Sequence, residues 1–323
     1  MVSIRYIALS LTLTTVTLMG PSPLPSTGHG GSPVDSPPAS GERPSIERSN
    51  IERSNSEQSS IEQFSAEKDG SSSLFAQSAA QVLNRDFPSR EISFLLLDAH
   101  TGRVLVSRWH HPDAPIPMGS LLKPFAALAY GEGHDYHYPN HTCRGTFTGC
   151  WLPRGHGDVD LTTAIAHSCN SYFRMLTADL TADDVSLTAT RFGLDRPAQE
   201  VSGAELAGLG TRWRTSPVSL AEAYLELVRE RGQPGVREIL EGMALSARRG
   251  TGVQVHRAFP SADALVKTGT AACTHSRHAP GDGFSVVLVP ADDPQILLLV
   301  RVHGVPGAQA AKTAGQMLRR IEN

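Results

Sequence analysis

Strongly apolar, strand-like segments stand at both ends of the compact part of this chain, and helix-like segments fill the sequence between them. Residues 92–98 form an apolar run, residues 99–102 a turn and residues 103–108 an alternating segment, which together predict a β-hairpin with one well-buried strand. Three segments near the C-terminus also alternate or run apolar: 264–270, 284–289 and 296–302. This order predicts an α+β fold. We expect an antiparallel sheet of N- and C-terminal strands packed with helices, plus a mostly helical subdomain.

Helical spacing of apolar residues locates the helices. Pro217 stands near the first turn of one of them, where its missing N–H costs little. The predicted helices cover residues 75–83, 120–130, 161–175 with a loop at 168–170, 217–230 and 308–321. We therefore expect one compact domain over residues 74–323.

The sequence before residue 74 has a different composition. Residues 21–73 are rich in Pro, Gly and Ser, and a five-residue unit is repeated as Ile46–Asn50 and Ile51–Asn55. Such a segment buries too little apolar surface to offset its ordering entropy. It is predicted to be a disordered tether.

Residues 1–20 form the one early stretch that is apolar enough to concern a membrane. Arg5 is its only charge, and Ile7–Met19 is an uncharged run about as long as a signal-peptide core. The stretch predicts an export signal, with an uncleaved membrane anchor as the alternative. The protein is then expected in the periplasm or on the outer face of the cytoplasmic membrane.

Lysine occurs at only four positions, and two of them stand in short motifs. Residues 120–123 read Ser-Leu-Leu-Lys, residues 267–270 read Lys-Thr-Gly-Thr, and between them residues 168–170 read Ser-Cys-Asn. Apart from Lys68 and Lys312, the remaining positive charges are carried by arginines. Because arginine keeps its proton in proteins whereas a buried lysine can lose it, Lys123 and Lys267 are candidates for acid–base chemistry. A net charge of −3 and the lack of basic runs argue against a nucleic-acid partner.

The first motif predicts an activated serine. On a helix, Ser120 and Lys123 project from one face, and Gly119 lets the backbone turn sharply into the first turn. A serine hydroxyl needs a base to take its proton, and a neutral Lys123 is the candidate. Desolvation and the nearby Lys267 cation would both lower the pKa of Lys123.

The second motif predicts proton relay. Ser168 is a candidate to pass a proton between Lys123, Lys267 and a leaving nitrogen. Asn170 is expected either to offer its amide to an acyl-donor peptide or to hold Lys123.

The third motif predicts substrate binding along a strand. Lys267 supplies a cation for a substrate carboxylate, with the hydroxyls of Thr268 and Thr270 as donors. Gly269 leaves room for a substrate backbone along the strand edge. The N–H groups of Thr270 and Ser120 are candidates for an oxyanion hole.

Each motif also has a purely structural interpretation. Ser120 could be a helix cap, Lys123 a solvated charge and Lys267 an exposed strand end. The same patterns recur where no site is expected, as Ser65–Lys68 in the tether and, imperfectly, as Lys312–Gly315. The order of the three motifs and their predicted settings favour chemistry.

The cysteines leave three alternatives open. Cys143 and Cys150 lie in a Gly- and Thr-rich loop and could close a small disulfide ring. They could instead be free buried thiols, or bind a structural metal together with His156. The metal alternative lacks an identified fourth ligand at this stage.

Several segments resemble the transpeptidase domain of penicillin-binding proteins. Residues 117–125, Pro-Met-Gly-Ser-Leu-Leu-Lys-Pro-Phe, are similar to the Pro-Gly-Ser-x-x-Lys-Pro-Phe segment of that family. The other similar segments are 155–161 with 168–173, 208–210 with 216–221 and Tyr224, and 250–252. The resemblance covers residues 93–320 in the same order. Larger members carry a pedestal domain, whereas a tether is expected here.

The resemblance implies an exported serine acyl transferase that acts on D-Ala-D-Ala stem peptides of peptidoglycan, either as a D,D-transpeptidase or as a D,D-carboxypeptidase. It implies a Ser120 acyl-enzyme, binding of β-lactams, a cell-wall synthase as a candidate partner, and no metal or organic cofactor. The alternatives are a class D-like β-lactamase and a catalytically silent sensing or wall-binding module. The Glu-x-x-x-Asn segment of class A β-lactamases is absent, since no asparagine lies between Ser171 and Glu322.

Overall fold

The structure is a computed structural model that describes residues 73–201, 203–273 and 280–322. The predicted signal or anchor at residues 1–20 lies outside the described residues, and so does the predicted tether except for its last residue. Within the described ranges, none of the helices has the length and apolar character needed to cross a bilayer.

A five-stranded antiparallel sheet in the order β2-β1-β9-β8-β7 forms the centre of the domain. Its strands are β1 (Ile92–Asp98), β2 (Val104–Arg108), β7 (Leu265–Ala271), β8 (Asp282–Val289) and β9 (Ile296–His303). Two short pairs accompany it: β3 (Ile116–Pro117) with β6 (Arg214–Thr215), and β4 (His141–Cys143) with β5 (Gly157–Val159). Because β1 pairs with β9, N- and C-terminal strands share one sheet, as predicted, and β7 lies at its edge.

Helices fill the chain between β2 and β7 and also flank the sheet. Their bounds are α1 (residues 73–86), α2 (Lys123–Glu132), α3 (Leu161–Ala166), α4 (Asn170–Leu176), α5 (Ala182–Arg191), α6 (Gly203–Leu206), α7 (Pro217–Arg229), α8 (Val236–Arg249), α9 (Val253–Ala258) and α10 (Gly307–Glu322). The predicted break at residues 168–170 separates α3 from α4. The helix predicted to begin at residue 120 instead begins with a 3₁₀ turn, Gly119–Leu122, and Pro124 stands in the first turn of α2.

Two apolar clusters cover the two faces of the sheet. Along β1, Leu95 and Leu97 join the cluster shared with α2, α4 and α7, whereas Phe94 and Leu96 join the cluster shared with α10. Successive side chains of a strand point to opposite faces. Burial of both faces therefore explains why β1 reads as an unbroken apolar run rather than an alternating one.

Helix α8 approaches α3 closely because Gly242 faces it. A Cβ at Gly242 would come within 2.6 Å of Thr162 O and 2.7 Å of Ile165 Cβ. Glycine inside a helix costs about 1 kcal/mol relative to alanine. Its presence is explained by this contact, which supports the end of α3 just before Ser168.

Alanine at position 242 should therefore destabilise the domain although alanine is the better helix former. We expect Gly242→Ala to lower the free energy of unfolding by about 1–3 kcal/mol, as overpacking does. Gly232→Ala is the matched control, since a Cβ there would meet nothing within 4 Å. It should change stability by no more than about 0.5 kcal/mol. Denaturant unfolding checks both, and a stabilised Gly242→Ala would contradict the packing argument.

Candidate active site

Ser120 is held in a tight turn that faces the end of β7. Gly119 has φ +59°, and a Cβ there would lie 2.3 Å from Thr270 O. Gly208, at φ +70°, would place a Cβ 2.1 Å from Gly119 O. The hydroxyl of the buried Tyr224 donates to Leu121 O over 2.8 Å, which satisfies a carbonyl of the same turn. Two close backbone approaches and one side-chain hydrogen bond thus fix the serine turn.

Lys123 follows one turn later and is fully buried. Its Nζ donates to Ser168 O at 2.8 Å and to Asn170 Oδ1 at 2.7 Å, and it lies 3.3 Å from Ser168 Oγ. No hydrogen bond joins it to Ser120 Oγ among the described residues; catalytic hydrogen bonds often tighten only when substrate binds. Of the two positions expected for the Asn170 side chain, the structure shows the one that holds Lys123.

Lys267 reaches the same hydroxyl from β7. Its Nζ is fully buried and donates to Ser168 Oγ at 3.1 Å and to Thr268 O at 2.8 Å. A serine hydroxyl carries one proton, so Ser168 can donate to one lysine only while it accepts from the other. The geometry is that of a proton relay between two amines.

Burial makes these amines weak bases. It lowers the pKa of Lys123 to about 7, a shift that Cys169 and Cys150 oppose. Burial also lowers the pKa of Lys267 well below its usual range, and the neighbouring Lys123 adds to this shift. Because two buried ammonium groups on one hydroxyl disfavour each other, the network favours a state with a neutral amine.

Ser168 has an uncommon backbone conformation, with φ +50°. A side chain at positive φ costs about 1–2 kcal/mol, and glycine is the usual residue there. The turn is closed by Ser168 N donating to Ile165 O at 3.2 Å and Cys169 N donating to Ala164 O at 2.9 Å. A serine at this position is explained by its hydroxyl, which contacts both Lys123 and Lys267; the carbonyl that also accepts from Lys123 would be present with any residue.

A cleft of about 420 Å³ opens in front of these groups. Ser120, Ser168, Asn170 and residues 268–270 line it, so the structure brings all three predicted motifs together. Thr251 and Trp151 also line the cleft, and neither was predicted to do so from the sequence. Thr251 belongs to a segment already noted for its resemblance, whereas nothing in the sequence singles out Trp151.

The two threonine hydroxyls of the third motif have different hydrogen-bond partners. Thr268 Oγ1 lies 2.6 Å from Thr251 Oγ1 beside the cleft, whereas Thr270 Oγ1 accepts from Gly307 N at 2.9 Å. A Cβ at Gly269 would come within 2.8 Å of Met118 O. Glycine is therefore required there by the protein's own serine turn, before any substrate is considered.

Of the two repeated patterns, Lys312–Gly315 falls in the described part of the chain and does not line the cleft. Ser65–Lys68 lies outside the described residues. Lys312–Gly315 belongs to α10, where Ala314 joins the apolar cluster on the other face of the sheet.

Four potential metal ligands meet behind the second motif. The thiols of Cys143, Cys150 and Cys169 are free, and with a ring nitrogen of His156 their ligand atoms all lie within 4.8 Å of one another. Cys169, the middle residue of Ser-Cys-Asn, is a candidate for the fourth ligand that the sequence did not identify. We call these four residues the Cys3His cluster.

A second group of potential ligands lies near the end of β7. Cys273, Asp282 and His303 also meet within 4.8 Å. Here Asp282 Oδ1 is already paired with His303 Nδ1 at 2.5 Å, and Arg301 Nη1 lies 3.9 Å from Asp282 Oδ2.

With the site in place, comparisons with known proteins identify the class. The family model for the penicillin binding protein transpeptidase domain matches residues 92–322. The chain belongs to this family, whose domain is a serine acyltransferase-type enzyme. None of the curated proteins matches the sequence.

Solved structures share the fold. PBP2 from Pseudomonas aeruginosa, in complex with WCK 5153, is 19% identical with a TM-score of 0.61, and 77% of this chain aligns with 76% of it. PBP2 from Helicobacter pylori, in complex with MreC, is 15% identical with a TM-score of 0.64 over 77% and 62% of the chains. PBPA from Mycobacterium tuberculosis is 17% identical with a TM-score of 0.59 over 76% and 78%. These likenesses confirm the predicted α+β fold.

The backbone and the hydroxyl of Ser168 can be tested separately. Ser168→Gly removes the hydroxyl and relieves the positive φ, whereas Ser168→Ala removes the hydroxyl and keeps the strain. We expect Ser168→Gly to be the more stable of the two by about 1 kcal/mol, with both variants equally deficient in acylation by a β-lactam. Thermal unfolding and acylation rates measure the two effects. A Ser168→Gly variant that acylates at the wild-type rate would show that the hydroxyl takes no part in proton relay.

Proposed function

We propose that this protein is an exported penicillin-binding D,D-transpeptidase-type acyl transferase that acts on D-Ala-D-Ala stem peptides of peptidoglycan through a Ser120 acyl-enzyme. The observation that carries the proposal is the placement of Ser120 in a cleft beside two buried lysines that share the hydroxyl of Ser168. Membership of the transpeptidase family supports the same class of chemistry.

In the acylation step, Ser120 Oγ attacks the carbonyl carbon of the penultimate D-Ala and gives its proton to neutral Lys123. The peptide C–N bond breaks, and the leaving nitrogen of the terminal D-Ala takes a proton relayed through Ser168. The ester on Ser120 is then attacked by an amine of a neighbouring stem peptide, which forms a cross-link, or by water, which completes a carboxypeptidase reaction. The residues supply nucleophile, base and relay without a cofactor.

The N–H groups of Ser120 and Thr270 stabilise the negative charge that develops on the carbonyl oxygen. Their proximity is supported by the contact between the Gly119 turn and the end of β7, where a Cβ on Gly119 would lie 3.2 Å from Thr270 N. β7 is an edge strand whose residues 268–271 line the cleft, so a substrate strand bound there would lie beside the end of this strand.

The terminal carboxylate of the substrate is not expected to pair directly with Lys267, although the sequence suggests that it would. Lys267 Nζ is buried and directed at Ser168, so it acts on the cleft through that hydroxyl rather than through a direct ion pair. We place the carboxylate against the hydroxyls of Thr268 and Thr251, which line the cleft. Lys267 remains close enough to contribute to the local potential.

Two alternatives remain to be separated from this function. A class D-like β-lactamase usually carries valine where Asn170 stands, and the bond from Lys123 to Asn170 therefore favours the penicillin-binding protein. A silent module would not need a serine, two buried lysines and a relay in one cleft. A cell-wall synthase is the candidate partner, since one structure with the same fold is described as a peptidoglycan synthase complex that coordinates polymerization and crosslinking.

Acylation by a β-lactam is the decisive measurement. Wild-type protein should gain the mass of one β-lactam by intact-mass spectrometry and keep it for hours, whereas Ser120→Ala should gain none while it remains folded. Ser107→Ala, an exposed serine on β2, is the matched control and should acylate normally. Rapid loss of the adduct would indicate a β-lactamase, and no adduct on wild-type protein would contradict the proposal.

The rate of acylation should rise with pH. Because neutral Lys123 takes the proton and its pKa is about 7, the reactive fraction falls tenfold per pH unit below 7 and levels off above it. The charged or titratable groups that bear on Lys123 are Lys267, Cys150, His156, Cys169 and Arg174. Second-order acylation rates measured from pH 5 to 9, a range that brackets this pKa, check the profile.

A lysine variant tests the assignment of that profile. Lys123→Arg keeps a permanent cation in place and should lower acylation by about 100-fold or more at every pH. Near wild-type rates in this variant, or a wild-type rate that falls as pH rises through 7, would exclude Lys123 as the base.

A further inference from the structure

The Cys3His cluster lies on a compact loop that the backbone is built to close. The loop runs from β4 to β5, and a Cβ at Gly145 would lie 2.0 Å from Pro153 O. A Cβ at Gly155 would lie 2.1 Å from Cys143 O. Both glycines have positive φ. The loop therefore folds back on itself and brings Cys143, Cys150 and His156 to one point.

The distances within the cluster fit a tetrahedral metal site. Zinc bonds of ~2.3 Å to sulfur and ~2.0 Å to nitrogen require tetrahedral edges of about 3.8 Å between sulfurs and about 3.5 Å between sulfur and nitrogen. His156 Nδ1 lies 3.5 Å from Cys143 Sγ and 3.6 Å from Cys150 Sγ. Cys150 Sγ lies 3.9 Å from Cys169 Sγ.

The same atoms fit a disulfide poorly. A bond between two of the cysteines would leave the third thiol and His156 Nδ1 without a role in a buried site. The ring of His156 is also oriented so that Nδ1 faces the sulfurs, while Nε2 is buried without a hydrogen-bond partner in the described part of the chain. A buried unpaired N–H costs about 1–3 kcal/mol. A metal on Nδ1 would keep the proton on Nε2 and leave that cost in place, so the case for a metal rests on the orientation of Nδ1 and on the distances among the four ligand atoms.

The cluster is joined directly to the cleft at two positions. Cys169 stands between Ser168 and Asn170, the two residues that hold Lys123. Trp151 follows Cys150, lines the cleft and donates from Nε1 to His167 O at 3.2 Å. Whatever binds the four ligands also fixes the strained turn at Ser168 and one wall of the cleft.

We propose that Cys143, Cys150, His156 and Cys169 bind a Zn²⁺ ion, and that this ion positions the Ser168–Asn170 turn and Trp151 for acylation. Three thiolates and one imidazole with no open position form a closed structural site, and soft ligands in tetrahedral array favour zinc among the divalent metals. The ion does not touch the substrate, so the four residues are positioning residues. The acylation part of the proposal rests on the proposed function, whereas zinc binding does not.

Metal binding is tested without reference to activity. The purified domain should contain one zinc per chain by elemental analysis, and replacement by Co²⁺ should give the thiolate-to-cobalt charge-transfer and intense d–d bands of a tetrahedral thiolate site. Cys143→Ser should lose the ion and these bands. Cys273→Ser removes the one cysteine outside the cluster and should keep both. Wild-type protein with no metal and two cysteines unavailable to a thiol reagent until reduction would overturn the zinc site in favour of a disulfide.

Coupling to the cleft is tested with the same variant. Cys143 stands on β4, outside the three motifs, so its replacement removes a cluster ligand without altering a motif residue. Cys143→Ser should acylate with a β-lactam about tenfold or more slowly than wild type, the size of effect expected when support of a site is lost. Cys273→Ser should acylate normally. Wild-type rates in a Cys143→Ser protein that has lost its zinc would overturn the positioning role.

If Cys143→Ser fails to fold, removing the metal from wild-type protein and adding it back tests the positioning role instead. Wild-type protein stripped of zinc by a chelator should acylate about tenfold or more slowly and recover its rate when Zn²⁺ is added back. Acylation that is unchanged in the stripped protein would again overturn the positioning role. A wild-type protein that binds cobalt tetrahedrally but never acylates would contradict the proposed function and leave the zinc site standing.

Discussion

The shared hydroxyl of Ser168 is the interaction on which the rest of the site depends. Two lysine amines are buried at that point, one from the start of α2 and one from β7. Burying two like charges without compensation is unfavourable, and deprotonation of one amine relieves the cost. The same relief produces a base. The burial that a stable fold would ordinarily avoid is therefore what makes the lysine pair chemically useful.

Such a pair requires elements that are distant in sequence to meet with little freedom. β7 is the edge strand of a sheet that also contains β1. The sheet therefore joins the N-terminal and C-terminal parts of the domain and holds β7 at the site. The serine turn then lies against β7 through Gly119 and Gly269, with backbone in place of side chains. Side chains at these two positions would push the turn away from the strand. Close backbone contact thus fixes the position of Ser120, whereas hydrogen bonds fix the positions of the two lysines.

The sequence revealed the strands and the motifs for separable reasons. β1, β8 and β9 are apolar because both sheet faces are covered, and the three motifs keep their order along the chain. The sequence did not reveal the 3₁₀ turn at Gly119–Leu122, which depends on a tertiary contact with β7. It also placed Lys267 against substrate, whereas burial turns it toward Ser168. Thr251 and Trp151 were missed because loops bring them to the cleft, and loop closure leaves no periodic signal.

Cys169 shows why the metal ligands were the hardest group to predict. Its neighbours face Lys123, so the three residues were read as one catalytic motif, and the middle position was treated as a spacer. Because Ser168 has φ +50°, the side chains of Ser168 and Cys169 point in different directions. The thiol of Cys169 points away from the cleft and is fully buried. One short segment thereby belongs to two sites. Substitution at the middle position would act on catalysis through the scaffold, which means that a loss of acylation there is no proof of contact with substrate.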